Sequence, residues 1–223
     1  MKEKKSSKVL NKHCHLMRVL SNFFPKKKIS NVFEAYNVET IENPLYSILL
    51  KDITGETKEI ATIAYGYLEG NFVNEYVACE CLTECEYLPR YCFLGEHLLS
   101  SSIKPVGIVN RFVSAIIMSL INPEVTWLAT GEGYEYLCDC DELWERTLEI
   151  LKDRQVTFFP CLGQYDDAVN IANTLKNRGL NIDVDTLFRD DRDELRYIFP
   201  QGTDIADYIL DRKFQDLHLD SMI

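Results

Sequence analysis

The sequence predicts an α/β protein: a parallel sheet with flanking helices, preceded by a small antiparallel β-rich subdomain and N-terminal helices. Two observations carry this. Between residues 106 and 184, four short apolar runs alternate with helical stretches, the grammar of βαβ units and a parallel sheet. Between residues 46 and 81, apolar and polar residues alternate across turn signals, as in antiparallel strands with one buried face. A third observation bounds the class. No stretch approaches the roughly 18 consecutive apolar residues of a membrane span, and the polar N-terminus lacks a signal peptide's apolar run. The expectation is a soluble, cytoplasmic protein with no membrane partner.

The elements follow in chain order. From about Lys8 to Phe24 the apolar spacing is helical and stops at Pro25. After Lys26-Lys27-Lys28, Ser30 is placed to cap a short helix carrying Val32, Phe33, Ala35 and Tyr36. Tyr46–Leu50 reads as a strand, Asp52-Ile53-Thr54-Gly55 as a turn, and Lys58–Tyr67 and Phe72–Cys81 as two further strands. Leu94–Leu99 reads as a short helix. Val106–Val109 then opens the parallel sheet, and Arg111 to Ile121 is its helix, stopped at Asn122-Pro123. Val125–Ala129 and Val156–Phe159 are the next strands, with an amphipathic helix from Asp141 to Lys152 between them. Asp166–Arg178 is a helix closed by Gly179, and Asn181–Val184 is the fourth strand. This divides the chain into a basic arm and helix (1–30), a small α+β lead-in (31–90), an α/β domain (91–213) and a tail (214–223).

Charge sharpens the division. The chain of 223 residues carries −11, but residues 1–30 hold nine Lys/Arg and one Glu, whereas residues 31–223 hold fifteen Lys/Arg and thirty-four Asp/Glu. A basic arm of +8 therefore precedes a body of −19. Phosphate binding rests on Lys and Arg, so Lys26, Lys27 and Lys28 are the candidate nucleic-acid contacts of the arm.

The eight cysteines (Cys14, Cys79, Cys81, Cys85, Cys92, Cys138, Cys140 and Cys161) read as reduced thiols in a chain without a signal peptide. Buried structural thiols and a zinc site both remain open, since Cys81-x₃-Cys85 approaches zinc-ligand spacing. His13-Cys14-His15 raises the same pair of readings.

In open parallel sheets, ligands bind outside the carboxyl ends of the strands. Those ends offer Asn110 and Arg111, then Glu132 within Gly131-Glu132-Gly133, then Cys161 with Asp166 beyond it. Magnesium prefers several carboxylates, and this set supplies few. Glu96-His97 could be a proton-transfer pair or polar groups bonding to the neighbouring sheet. Asp204 and Asp207 could face the strand ends or serve as the N-cap and first-turn acid of a helix. Asp190–Glu194 could be a carboxylate cluster or a solvated loop. Cys161 as a nucleophile needs a depressed pKa and a nearby base, and no sequence feature supplies either.

The strings Cys92-Phe93-Leu94-Gly95-Glu96-His97-Leu98-Leu99, Lys104-Pro105-Val106-Gly107-Ile108-Val109, Val125–Gly131, Phe158-Phe159-Pro160-Cys161-Leu162-Gly163 and Asp204-Ile205-Ala206-Asp207-Tyr208 share an order and spacing with a known family. From about 90 to 210 the chain resembles the toprim-like proteins of unassigned function from bacterial mobile elements, relatives of the toprim domains of DNA primases and topoisomerases. Residues 30–90 resemble that family's β-rich lead-in more loosely, and its upstream zinc-ribbon-like segment is not matched.

The resemblance implies a toprim-like fold with a degenerate site. Toprim domains end their first strand with a Glu, in a pattern like V-E-S-E-K-T-A; here Asn110 takes that place and Val113 that of the basic residue. Where the close relatives have Pro-Asp-x-Gly, this chain has Pro160-Cys161-Leu162-Gly163. Asn cannot act as a general base, Cys prefers soft metals, and Arg111 disfavours a cation while favouring a phosphate. The leading expectation is a non-catalytic accessory of mobile-element DNA replication or mobilisation, with no cofactor, binding DNA or a replication protein. The runner-up is a metal-dependent phosphoryl-transfer enzyme in which Glu132, Asp166 and Asp204 bind Mg²⁺. The third is an acidic protein-interaction module.

Overall fold

In the computed structural model, the described residues are 15–42, 45–68, 71–81, 92–131, 137, 141–189 and 193–220. Four antiparallel strands form the first sheet in sequential order: β1 (Val38–Glu42), β2 (Leu45–Lys51), β3 (Thr57–Leu68) and β4 (Asn71–Cys81). In β2 the predicted alternation is realised, with Tyr46, Ile48 and Leu50 buried and their neighbours partly exposed. The sequence reading missed β1, because Val38-Glu39-Thr40-Ile41-Glu42 is short and half acidic. Its strand state comes from pairing with β2, Val38 opposite Ile48.

The helices before this sheet also differ from expectation. α1 (His15–Leu20) ends four residues short of the expected Phe24, with turns leading to Pro25, and the expected helical residues 8–14 lie outside the described residues. α2, however, spans Lys26–Ala35, so it starts at the lysines and crosses residue 30, where the basic arm was expected to end. Ser30 is in its second turn rather than at its cap. Pro25, with φ −58°, is preset for a helix start. Three cations oppose the macrodipole at such an end. Lys28 offsets this by donating to the Leu120 carbonyl at 2.6 Å and lying 5.7 Å from the Phe24 ring centre.

The second sheet is parallel, in the order β6 (Thr126–Ala129), β5 (Val106–Val109), β7 (Gln155–Phe159), β8 (Asn181–Val184). Each of these strands lies within one residue of its predicted bounds. α3 (Phe112–Ile121) covers one face and α4 (Asp141–Leu151) and α5 (Tyr165–Asn177) the other. Gly107 pairs with Trp127 across the sheet, and the indole ring lies over it toward Phe159, with ring centres 4.9 Å apart.

One core joins the two sheets. Leu16 and Leu20 of α1, Ile29 and Phe33 of α2, Tyr46 and Ile48 of β2, and Ile116 of α3 are all buried in a single apolar cluster. The Tyr36 hydroxyl, just after α2, donates to the Trp127 carbonyl at 2.7 Å and lies 2.7 Å from the Ser119 hydroxyl; burial raises its pKa. Glu96 and His97, on the 3₁₀ turn Glu96–Ser101, bond to neighbouring elements. Glu96 accepts from the Ile53 N–H at 2.9 Å, the Phe93 N–H at 3.1 Å and Arg146 of α4. His97 Nε2 donates to the Ala35 carbonyl at 2.8 Å. Burial pushes the Glu96 carboxyl up and the His97 imidazole down.

At the other end of the chain, α6 (Asp193–Ile198) begins inside the acidic stretch read as a loop, and α7 (Ile205–Asp220) runs through the expected tail. Residues 190–192 lie outside the described residues.

Gly95 starts the 3₁₀ turn at φ +83°, and a Cβ there would stand 2.7 Å from the Trp127 carbonyl oxygen. Gly55 has φ +88° with open space around it. Gly95→Ala is therefore expected to cost on the order of 2–4 kcal/mol, from strain and crowding together. Gly55→Ala carries the strain alone, about 1 kcal/mol. Urea denaturation of both variants checks this; equal losses would show that the contact with Trp127 is not tight.

Candidate functional site

The parallel sheet determines where the site lies. From β5 the chain crosses through α3 to β6 on one side, and from β7 it crosses through α5 to β8 on the other. The connections diverge between the adjacent strands β5 and β7, so a crevice opens at their carboxyl ends. Asn110 follows β5 and Cys161 follows β7 by two residues. The Asn110 amide donates to Cys161 Sγ at 3.6 Å and to Gln164 Oε1 at 2.5 Å. Asn110 Oδ1 is buried and has no hydrogen-bond partner among the described residues.

A charged layer adjoins this neutral one. Arg111, just before α3, donates to Asp207 at 2.7 Å and to the Gly202 carbonyl at 2.9 Å, and stands 4.0 Å from Asp204. Asp204 is fully buried. Its Oδ1 accepts from the N–H groups of Ala206 and Asp207 at 2.9 and 3.0 Å, an N-cap on α7, while its other oxygen accepts from Ser114 of α3. Asp204 and Asp207 thus cap a helix and face the strand ends at once.

The environment sets the protonation states. Burial, then the negative charge of Asp204, pushes the Cys161 thiol up to about 12, with Arg111 opposing the rise. Cys161 is therefore a protonated thiol, not a nucleophile. Burial and the neighbouring Asp204 push Asp207 up to about 7, against the pull of Arg111.

The crevice gathers Asn110, Arg111, Cys161 and Asp204 from the expected residues, along with Asp207. Asp166 is exposed in the first turn of α5, and Glu132 lies outside the described residues. Lys26 and Lys27 are exposed on the first turn of α2, and Lys28 reaches the last turn of α3. Since α3 starts at the crevice, they sit about 15 Å away along its axis. Ser114 and Gln164 were missed. Ser114 had a signal, falling three residues after Arg111 at a helix start; Gln164 had none.

Cys92 and Cys161 are buried free thiols. Cys79 and Cys81 are described only as backbone of β4, while Cys14, Cys85, Cys138 and Cys140 lie outside the described residues. Among the described residues no three His, Cys, Asp or Glu side chains are grouped to hold a metal. Among the described residues, the magnesium that a toprim-like fold implies finds, at this crevice, one neutral amide oxygen, a protonated thiol and a guanidinium paired with the nearby acids. That donor set does not fit Mg²⁺.

Residues 14–162, ending one residue beyond Cys161, match a family described as a domain of unknown function, DUF6371. The chain belongs to the DUF6371 family. Among curated proteins none matches it. Among solved structures, the primase fragment of the bacteriophage T7 primase-helicase protein is similar to this DUF6371 chain. Its TM-score is 0.52 at 8% identity, over 89% of this chain and 71% of that one. The RNA polymerase domain of Mycobacterium tuberculosis primase DnaG scores 0.39 at 14% identity, over 87% and 63%. The T7 likeness shows a primase-like fold, in keeping with the toprim-like architecture that the sequence strings imply. Among the described residues no helix is long and apolar enough to cross a membrane.

The Asp207 shift carries a sign. The folded chain keeps a proton up to about pH 7 that the unfolded chain releases near its ordinary carboxylate value of about 3.9. Stability from this group therefore falls as pH rises between about 4 and 7, by on the order of 1–3 kcal/mol. Asp207→Asn is expected to flatten that slope in urea denaturation at a series of pH values. An unchanged slope would mean that Asp207 titrates normally.

Proposed function

We propose that this chain is a non-catalytic member of the primase fold that serves DNA replication or mobilisation of a bacterial mobile element by binding nucleic acid or protein. The observation that carries this reading is the switch point itself. Where phosphoryl transfer on this fold calls for carboxylates, Asn110, Cys161 and Gln164 form a neutral, mutually bonded set. Asp204 and Asp207 are committed to the start of α7, to Ser114 and to Arg111. Likeness in fold to the T7 primase fragment supports a place beside DNA. The lysines support a phosphate contact: five precede residue 15, and Lys26 and Lys27 are exposed on α2.

Calorimetry with Mg²⁺ and Mn²⁺, alongside primase and nuclease assays, tests the first half. Neither binding nor turnover is expected; micromolar metal binding abolished by Asp166→Ala or Asp204→Asn would restore the enzyme reading. The second half is tested by salt dependence. Because Leu16 and Leu20 belong to the core, a truncation must stop short of them. Removing residues 1–14 is expected to weaken DNA binding and flatten its salt slope by about 0.9 for each phosphate no longer neutralised. A slope unchanged by that truncation and by Lys26→Ala with Lys27→Ala would refute phosphate binding by the arm.

A further inference from the structure

The two ends of the parallel sheet carry opposite charge. Among the described residues, the loops at its carboxyl end hold Asp166, Asp167, Asp185, Asp204 and Asp207 against Arg111 and Arg189. The amino end reverses this. Lys104 stands before β5, and Lys152 and Arg154 stand before β7. Lys26, Lys27 and Lys28 join them from α2, whose Lys28 reaches the end of α3. The acids nearby are Glu34, Glu124 and Asp153, so six cations meet three carboxylates on an acidic protein.

Three of these cations form one connected row. Lys28 Nζ donates to the Leu120 carbonyl at 2.6 Å and Lys104 Nζ to the Pro123 carbonyl at 2.7 Å, so both hold the chain leaving α3. The Arg154 guanidinium donates to the Ser102 carbonyl at 2.7 Å and the Leu99 carbonyl at 2.9 Å, which ties the turn before β7 to the one before β5. The carbonyl ends of helices attract cations in this way. A carbonyl, however, fixes a cation without cancelling its charge. Among the described residues none of Lys28, Lys104, Lys152 and Arg154 is in an ion pair, whereas Arg111 at the other end is held by Asp207 at 2.7 Å.

A groove of about 370 Å³ opens beside the row. Asn31, Val32 and Ala35 line it from α2, on the helix face that Lys28 begins, since positions three and four apart are neighbours there. Ser101, Ser102 and Lys104 line it from the turn before β5, and among the described residues no carboxylate does. Asn31, Ser101 and Lys104 are exposed. Ammonium, hydroxyl and amide groups are those that hold phosphate oxygens, and a positive groove is how proteins track a single strand. The row crosses β6, β5 and β7, about 10 Å at the usual strand spacing, and so spans about two or three phosphates of one strand. The geometry points to a single-stranded nucleic-acid backbone lying in this groove and along the row of Lys28, Lys104 and Arg154, at the end of the sheet opposite the switch point. This rests on the nucleic-acid reading above and gives it an interface on the folded body rather than on the arm alone.

The test measures binding of the full chain to a short oligothymidylate and to a duplex of the same length, by calorimetry at about 50 and 200 mM salt. The single strand is expected to bind more tightly than the duplex. Lys104→Ala with Lys152→Ala, both at exposed positions, should weaken it at least about fivefold at the lower salt and reduce the salt slope by about 0.7 for each phosphate no longer neutralised. Lys104→Arg with Lys152→Arg should retain the binding, which separates charge from fold. Ser101→Glu places a carboxylate in the groove and should weaken binding likewise, with melting temperature unchanged. Strand binding that the alanine pair and Ser101→Glu both leave intact overturns the groove. If Lys26→Ala with Lys27→Ala, or removal of residues 1–14, does weaken that binding, the nucleic-acid reading stands without the groove. Duplex binding as tight as the single strand's overturns the single-strand assignment. No binding of either ligand rejects both readings.

Discussion

α3 has almost no solvent face, and the architecture is arranged around that fact. Eight of its ten residues are buried, as expected of a helix apolar all round. Such a helix needs a cover on every side. β5 and β6 lie beneath it, α2 packs along it and α7 closes over its start. α2 in turn rests on the antiparallel sheet through Ile29, Phe33 and the strand residues Tyr46 and Ile48. The lead-in and the α3 face of the parallel sheet therefore share one apolar cluster, while the sheet's other face closes a second under α4 and α5. Lys28 on the Leu120 carbonyl and Tyr36 on the Trp127 carbonyl add directional bonds to that contact.

The same demand shapes the strand ends. α7 must be fastened over the start of α3, and the fastening is acidic: Asp204 bonds Ser114 and the first amides of α7, and Asp207 pairs with Arg111. Two carboxylates share one guanidinium in a poorly hydrated place, so one of them holds its proton toward neutral pH. Beside them Asn110 and Cys161 meet without charge. The crevice keeps the location that the topology dictates, and Asn110, Cys161 and Gln164 give it a neutral floor among the described residues.

Much of the parallel sheet was legible because each strand is a short apolar run bounded by turn residues; Val106–Val109 and Asn181–Val184 are found at their predicted bounds. β1 was not legible, since Glu39 and Glu42 break its apolar pattern and only pairing with β2 makes it a strand. α2 was misplaced because three lysines look wrong at a helix start, and Lys28 finds its compensation ninety-two residues away. At the site, Asn110 and Cys161 could be named from strand ends and family strings. Ser114 offered only its place three residues after Arg111, and Gln164 offered nothing, because polar residues at helix starts are common and only a packed neighbour gives one a role.

By itself the sequence determined the alternation of strands and helices, the positions of the strand ends and the absence of carboxylates at two of them, because these follow from local period and residue identity. The tertiary structure alone decided that α1 and α2 join the main core, that Asp204 and Asp207 are bound to Ser114 and Arg111, and that Asn110 Oδ1 goes unmet among the described residues. Those are contacts between residues distant in the chain. Their energies depend on burial and on a partner's position, and neither is written in the local pattern.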